Sequence, residues 1–199
     1  MTSQIVAMCI FSFVMSITPG PVNMVIVSSG ANYGFKRTVP FVSGATIGFI
    51  LLLLLLGLGL MQFVSAYPAF LKYLSLAGSS FIIHISYKIA TADPTLSIER
   101  TNRPNFGQGF LMQWLNPKAW LACVAGLSMF ADEKTHTPLL IFAALYFLIC
   151  YTCLVSWAVL GNKVGVLLKT EKRIRIFNIS MGGLLCACAV YLLLTSLRA

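Results

Sequence analysis

Two short polar segments interrupt long apolar stretches of this sequence and contain the residues best suited to chemistry. The first segment is Thr18-Pro19-Gly20-Pro21-Val22-Asn23 and the second is Asn116-Pro117-Lys118. Proline and glycine break helices. In each segment a suitable capping residue, Gly20 or Asn116, precedes a proline that fits the first helical position. Each segment is therefore predicted to end one helix and to begin another, whose first backbone N–H groups lack partners.

Lys118 adds a positive charge to the second segment. Free amides at a helix start attract anions, whereas a lysine deep in a membrane costs roughly 2.5–3.5 kcal/mol and so requires a reason. One interpretation is a ligand for a substrate carboxylate, or a coupling charge. The other is a lysine that reaches toward an interface or caps the carbonyl groups of a neighbouring helix. We expect a carboxylate to bind between the two segments.

The predicted substrate-binding residues belong to these segments, except for Gln113, which lies one turn before the second. They are Thr18, Pro19, Gly20, Pro21, Asn23, Gln113, Asn116, Pro117 and Lys118. Asn23 has two roles open to it, a hydrogen bond to a substrate ammonium group or stabilisation of the broken backbone. His84 lies within another apolar segment, where it either relays protons or is hydrogen-bonded inside a helix bundle.

The elements that position these residues are predicted to be membrane-spanning helices. Hydrophobic residues make up 58% of the 199 residues and charged residues 10%, against roughly 25% charged in soluble domains. A helical span needs about 20 apolar residues, and the segments that qualify are approximately 4–30, 40–64, 69–91, 108–130, 137–161 and 176–197. We predict an all-α membrane protein of six transmembrane helices, with helices 1 and 4 broken near the membrane midplane.

Three spans in each half of the chain place the two halves in opposite orientations. We predict a single transmembrane transporter domain over 1–199, built as an inverted 3+3 repeat of residues about 1–95 and about 105–199. A broken helix begins each half, as in many transporters. Gly44 and Gly48 form a GxxxG pair, predicted to pack against another helix within the subunit or in a homo-oligomer.

The basic residues predict the orientation in the membrane. Most of the 14 lysines and arginines lie in the first, third and fifth connections, which share one side. The positive-inside rule places that side in the cytoplasm, so both termini are predicted on the periplasmic side of a bacterial inner membrane. The net charge of +9 thus serves orientation and contact with the lipid bilayer, and a nucleic-acid partner is not predicted.

The remaining residue types argue against enzyme, metal and ATP chemistry. No Asp or Glu lies deep in a predicted span, and the ATP-binding pattern GxxxxGK[ST] is missing from the sequence, so the energy source is predicted to be a gradient or the substrate itself. Cys150 and Cys153 stand three residues apart without further metal ligands nearby. All six cysteines lie inside predicted spans and are interpreted as packing residues. Neither a cofactor nor a metal is predicted.

On these motifs the sequence resembles the LysE/RhtB family of amino-acid exporters over nearly its whole length. Residues 18–23 are similar to the family's TPGPN signature, with one extra residue before the asparagine, and residues 113–119 are similar to its NPK segment. Residues 28–29, 34–35 and 87–91 look most like the cysteine and O-acetylserine exporter branch, with threonine, homoserine and leucine exporters as close relatives. The resemblance implies six helices, export of a small amino acid from the cytoplasm, and proton antiport.

Two other functions stay open at this point. Membrane thiol or electron conduits use cysteines in their first and fourth helices, where Cys9 and Cys123 lie here, although reactive thiols need an exposed polar setting. A divalent-cation exporter would need acidic, histidine or clustered cysteine ligands facing the cavity. The two broken segments offer Lys118 and backbone amides instead.

Overall fold

The computed structural model describes residues 2–60, 62, 66, 68–92, 104–132, 135–168 and 170–198. Within those residues all regular secondary structure is helical, as predicted. In chain order the helices are α1 (Thr2–Ile17), α2 (Pro21–Tyr33), α3 (Phe35–Leu55), α4 (Pro68–Ala90), α5 (Phe106–Trp114), α6 (Pro117–Phe130), α7 (Thr137–Leu167) and α8 (Glu171–Arg198). Leu56–Leu60 follows α3 and kinks at Gly59, whose φ of 136° is not helical. Arg100, Arg103 and Lys169, which contribute to the predicted charge asymmetry, lie outside the described residues.

The helices have the length and hydropathy of a membrane protein. Among the described residues, Phe35–Gly59, Thr137–Leu167 and Glu171–Tyr191 are each long and apolar enough to cross a bilayer, and α1 and α2, which are bent by 58° at their break, make a fourth when the pair is counted as one span. Helix α4 and the α5–α6 pair occupy the predicted third and fourth segments, but α6 is shorter than a span and α4 carries Lys72, His84 and Lys88. The protein is an all-helical membrane protein.

Helix pairs approach backbone to backbone at what we call the glycine end, marked by Gly44, Gly161 and Gly165. Helix α2 packs against α7, and α3 packs against α5. A Cβ on Gly161 would lie 2.3 Å from the Val27 carbonyl oxygen, and one on Gly165 would lie 2.4 Å from that of Ala31. Only glycine permits so close an approach.

The predicted packing glycines of α3 face α5 inside the same chain. A Cβ on Gly44 would lie 2.0 Å from the carbonyl oxygen of Phe106, and one on Gly48 would lie 2.9 Å from that of Phe110. The indole N–H of Trp114 also donates to the Gly48 carbonyl oxygen at 3.1 Å. The GxxxG pair therefore joins α3 to α5.

Buried amides add a polar link at the glycine end. Asn32 of α2 and Asn178 of α8 exchange two hydrogen bonds, at 2.8 Å and 3.1 Å. The Asn162 side chain of α7 accepts a hydrogen bond from the Phe35 amide at 3.2 Å, directly after Gly34 turns the chain with a φ of 82°. Both contacts satisfy polar groups that would be costly to bury unpaired.

Aromatic rings fill the opposite part of the bundle, which we call the aromatic cluster. Its members are Phe11 of α1, Phe49 of α3, Phe130 of α6, and Phe142 and Tyr146 of α7. Phe130 and Phe142 are 5.0 Å apart between ring centroids, and Phe49 stacks on Tyr146 at 4.3 Å. Phe11 lies within 6.4 Å of Phe130, Phe142 and Tyr146. Side chains, and not backbones, make the contacts here.

Candidate functional site

The first helix break, at residues 18–20, separates α1 from α2. Gly20 caps α2 with extended backbone and no side-chain hydrogen bond, and Pro21 occupies the first helical position. The first intrahelical bond of α2 runs from Met24 to the Gly20 carbonyl oxygen at 3.0 Å. The amides of Val22 and Asn23 therefore precede the helical ladder and have no intrahelical acceptor.

Asn23 holds the two sides of this break together. Its side-chain amide donates to the Ser16 carbonyl oxygen at 3.0 Å, seven residues back along the chain and on the other helix. Asn23 is 6% exposed, so the bond satisfies a carbonyl group that the end of α1 leaves without a helical donor. Of the two roles open to Asn23, the geometry provides stabilisation of the break.

The second break, at residues 115–116, separates α5 from α6 and is capped by its own residues. The Asn116 side chain accepts a hydrogen bond from the Lys118 amide at 3.2 Å, and the Asn116 carbonyl oxygen accepts from the Ala119 amide at 2.9 Å. The Asn116 side-chain amide also donates to the Gln113 side-chain oxygen at 3.4 Å. The amides predicted to be free at this helix start are thus occupied.

Lys118 connects the two breaks. Its ammonium group donates to the Thr18 carbonyl oxygen at 2.9 Å and to the Thr18 hydroxyl at 3.2 Å, while that hydroxyl also makes a short bond to the Val14 carbonyl oxygen. The lysine stem passes Gly20 so closely that a Cβ there would lie 3.3 Å from Lys118 Cδ. A cation from one broken helix is therefore positioned at the carbonyl end of the other.

A small cavity lies between the two breaks. Its volume is about 40 Å³, enough for roughly three water molecules. It is lined by Met15, Ser16, Gly20, Pro21, Val22, Asn23, Phe49, Gln113, Asn116, Lys118, Ala119, Ala122, Tyr146, Cys150 and Leu154. The cavity thus brings together both breaks and the middle of α3 and α7.

Six of the nine predicted substrate-binding residues line this cavity. They are Gly20, Pro21, Asn23, Gln113, Asn116 and Lys118. Thr18, Pro19 and Pro117 belong to the breaks but are not part of the lining: Thr18 and Pro19 are exposed, and Pro117 occupies the first helical position of α6. Thr18 still contributes through its bonds to Lys118.

Sequence reasoning missed the wall that α7 contributes. Tyr146 and Cys150 stand one helical turn apart on α7, and both face the cavity. Helix α7 is apolar all round, so no periodic pattern marks one face as special. Of the cavity residues that were missed, Ser16 could have been predicted from the sequence, because it is a polar residue one turn before the first helix break.

The remaining predicted residues lie away from the cavity. His84 is exposed on α4, so the proton relay assigned to it stays a prediction. Cys123 is fully buried in the core, and Cys9 is partly buried on α1. Within the described part of the chain no three His, Cys, Asp or Glu residues are grouped so as to hold a metal ion.

Two broken helices that share a cavity, with a lysine from one break reaching the other, are typical of membrane transport proteins. The sequence matches the LysE type translocator family over residues 13–196, and the chain belongs to that family. Its relatives include the cysteine/O-acetylserine efflux proteins of Escherichia coli strain K12 and of Shigella flexneri serotype 5b. Each is 29% identical over 183 residues, which cover 90% of this chain and 92% of the relative. No solved structure matches this chain.

Proposed function

We propose that the protein exports a small zwitterionic amino acid, or an amino-acid derivative, from the bacterial cytoplasm. The observation that carries the proposal is the position of Lys118, which lines the cavity and whose ammonium group donates to the Thr18 carbonyl oxygen at the first break. Val22 and Asn23, whose amides have no intrahelical acceptor, line the same cavity. A cation beside a helix start favours a carboxylate, and membership of a translocator family makes that carboxylate a transported one.

The amino acids that we propose as substrates are cysteine and O-acetylserine, followed by threonine, homoserine and leucine. The relatives named above are cysteine/O-acetylserine efflux proteins, and the cavity is small. No Asp or Glu is among the residues lining the cavity, so a substrate with a cationic side chain would find no counter-charge. Lys118 would equally repel a divalent cation.

We propose that six spans form an inverted repeat of residues about 1–95 and about 105–199. In support, α3 packs on α7 and α4 packs on α8, which are contacts between corresponding helices of the two halves. A broken helix also begins each half. Lys36, Lys163 and Arg173 lie near the glycine end, so the positive-inside rule orients that end toward the cytoplasm and both termini toward the periplasm of the inner membrane.

We propose that export is driven by proton influx, as the resemblance to the LysE/RhtB family implies. In inside-out vesicles the exporter would take up its substrate when protons leave the lumen. An imposed pH gradient, acidic inside, should therefore accelerate uptake, and a protonophore should abolish that acceleration. Uptake that follows the membrane potential but ignores the pH gradient would contradict proton antiport.

The experiment that tests the function measures export of radiolabelled cysteine, O-acetylserine, threonine, homoserine and leucine from cells. Cells producing the wild type are compared with cells producing Lys118→Ala, and with Lys163→Ala as a control lysine exposed at the end of α7. Selective export that Lys118→Ala alone abolishes supports the proposal. Wild-type export equal to that of cells without the protein, for every amino acid, contradicts it.

A further inference from the structure

The Ser16 hydroxyl is buried at the cavity wall and has no hydrogen-bond partner of normal geometry. Ser16 is 6% exposed and lines the cavity. The Tyr146 hydroxyl and the Cys150 thiol lie close enough to Ser16 for weak hydrogen bonds. Buried polar groups are almost always paired, so a hydroxyl that lacks a partner beside a cavity requires an explanation.

Among the described residues three buried serine hydroxyls, those of Ser16, Ser75 and Ser79, have no hydrogen-bond partner, and of these three only Ser16 lines the cavity. Serine and threonine in a helix commonly satisfy themselves by donating to the carbonyl group four residues earlier. Ser12, one turn before Ser16 on the same helix, donates in this way to Met8 at 2.7 Å, and Thr46 donates to Val42 at 3.0 Å. Ser16 makes no equivalent bond, although the helix continues to Ile17.

The orientation of Ser16 is fixed from the other side of the break. Its carbonyl oxygen accepts the Asn23 side-chain amide at 3.0 Å, which holds this residue against the start of α2. The hydroxyl lies before the break, whereas the amides of Val22 and Asn23 lie after it. The cavity therefore has a neutral polar group on one side of the break and an anion-binding group on the other.

We propose that Ser16, together with Tyr146 and Cys150, binds the substrate's side chain and selects an uncharged polar group there, such as a thiol, a hydroxyl or an ester oxygen. The inference rests on the proposed export function. With the carboxylate near Lys118, a short side chain reaches the Ser16 hydroxyl and supplies the missing partner. An alanine or an aminobutyrate side chain leaves the hydroxyl unpaired, so these amino acids bind less well.

The test uses two pairs of amino acids that differ in the polar group: serine has one hydroxyl more than alanine, whereas cysteine and 2-aminobutyrate also match closely in size. Unlabelled serine and alanine, and unlabelled cysteine and 2-aminobutyrate, compete against uptake of radiolabelled cysteine into inside-out vesicles. The variants are Ser16→Ala and, as a matched control, Ser12→Ala. We expect Ser16→Ala to reduce the preference for the polar member of each pair by about fivefold to tenfold. Ser12→Ala should leave that preference unchanged, because its hydroxyl is paired within α1.

A ratio between two competitors is independent of how much protein reaches the membrane. If Ser16→Ala weakens both members of each pair equally, Ser16 acts on the common amino-acid group or on the fold, and the inference is wrong. The inference is also wrong if Ser16→Ala binds both members of each pair as well as the wild type does. Wild-type vesicles that take up no labelled amino acid would instead contradict the export function itself.

Discussion

The two helix breaks differ in how the helix that follows each of them is capped. At the second break, Asn116 caps α6 with its own side chain and occupies the leading amides. At the first break, Gly20 has no side chain to offer, and the amides of Val22 and Asn23 remain without an intrahelical acceptor. The second break therefore satisfies its leading amides with its own residues. The first break depends on two other side chains, that of Asn23 across the break and that of Lys118 from the other half of the chain.

This difference gives the two breaks different roles in the proposed site, one in supporting Lys118 and the other in binding a carboxylate. A capped helix start has already used the donors that would recognise an anion, but an uncapped start keeps them available. The second break thus acts as the rigid support that projects Lys118, and the first supplies the amides that a carboxylate needs. Four substitutions test this division of roles.

The largest effect is expected from Lys118→Met, which keeps the length of the side chain but removes the charge. The Thr18 carbonyl oxygen loses its donor, and the cavity loses its cation, so export should fall by about 100-fold. Export from cells is the measurement, and Lys88→Met, an exposed lysine on α4, is the control. Near-normal export by Lys118→Met would show that the first break does not depend on the second.

The next effect is on stability and comes from Asn23→Ala. The buried Ser16 carbonyl oxygen would lose its only observed link across the break, which costs about 1–3 kcal/mol. Thermal unfolding of the purified protein in detergent should show a clearly lower midpoint than the wild type. A midpoint equal to that of the wild type would mean that water or another group satisfies the carbonyl, and that the first break needs no support from Asn23.

Asn116→Ala should destabilise the second break by a smaller amount, about 1 kcal/mol, because it removes a helix cap. Asn116→Ser retains a capping oxygen and should recover most of the loss in the same unfolding measurement. If serine does not rescue the alanine variant, the contribution of Asn116 lies in its bond to Gln113 and not in its cap.

Gly20→Ala is expected to have the smallest effect on stability, within about 0.5 kcal/mol. The extended backbone of Gly20 suits any residue, but the new Cβ would lie 3.3 Å from Lys118 Cδ and 3.4 Å from its ammonium nitrogen. The lysine must shift, so export should fall a few-fold while the unfolding midpoint stays in place. Gly183→Ala is the control, because a Cβ there meets no atom within 4 Å.

The breaks could be predicted from sequence because proline and glycine act locally. Asn116-Pro117 and Gly20-Pro21 specify a cap and a first helical position without help from distant residues. Contacts between helices could not be predicted in this way. That Lys118 reaches Thr18, 100 residues away, and that Tyr146 of α7 faces the cavity both depend on how apolar helices pack, and the uniform surface of α7 gives no periodicity to read.

The same limit explains what the sequence left open about the glycines. GxxxG spacing identified Gly44 and Gly48 as packing residues, but it did not identify α5 as their partner. Gly161 and Gly165 have the same spacing and were not singled out, although a Cβ on either would collide with α2. Spacing indicates that two backbones meet, and the identity of the second backbone comes from the fold.

The glycine contacts also have a mechanical consequence. They pack α2 closely against α7 and α3 closely against α5. Each of these two helix pairs contains one helix from each half of the chain. The break at residues 18–20 leads into the first pair, and the break at residues 115–116 follows the second. Thr18 lies next to the first pair along the chain and Lys118 lies next to the second, so a rotation of one pair against the other would change the separation of these two residues. The hydrogen bonds from Lys118 to Thr18, which join the two breaks, would stretch in such a motion.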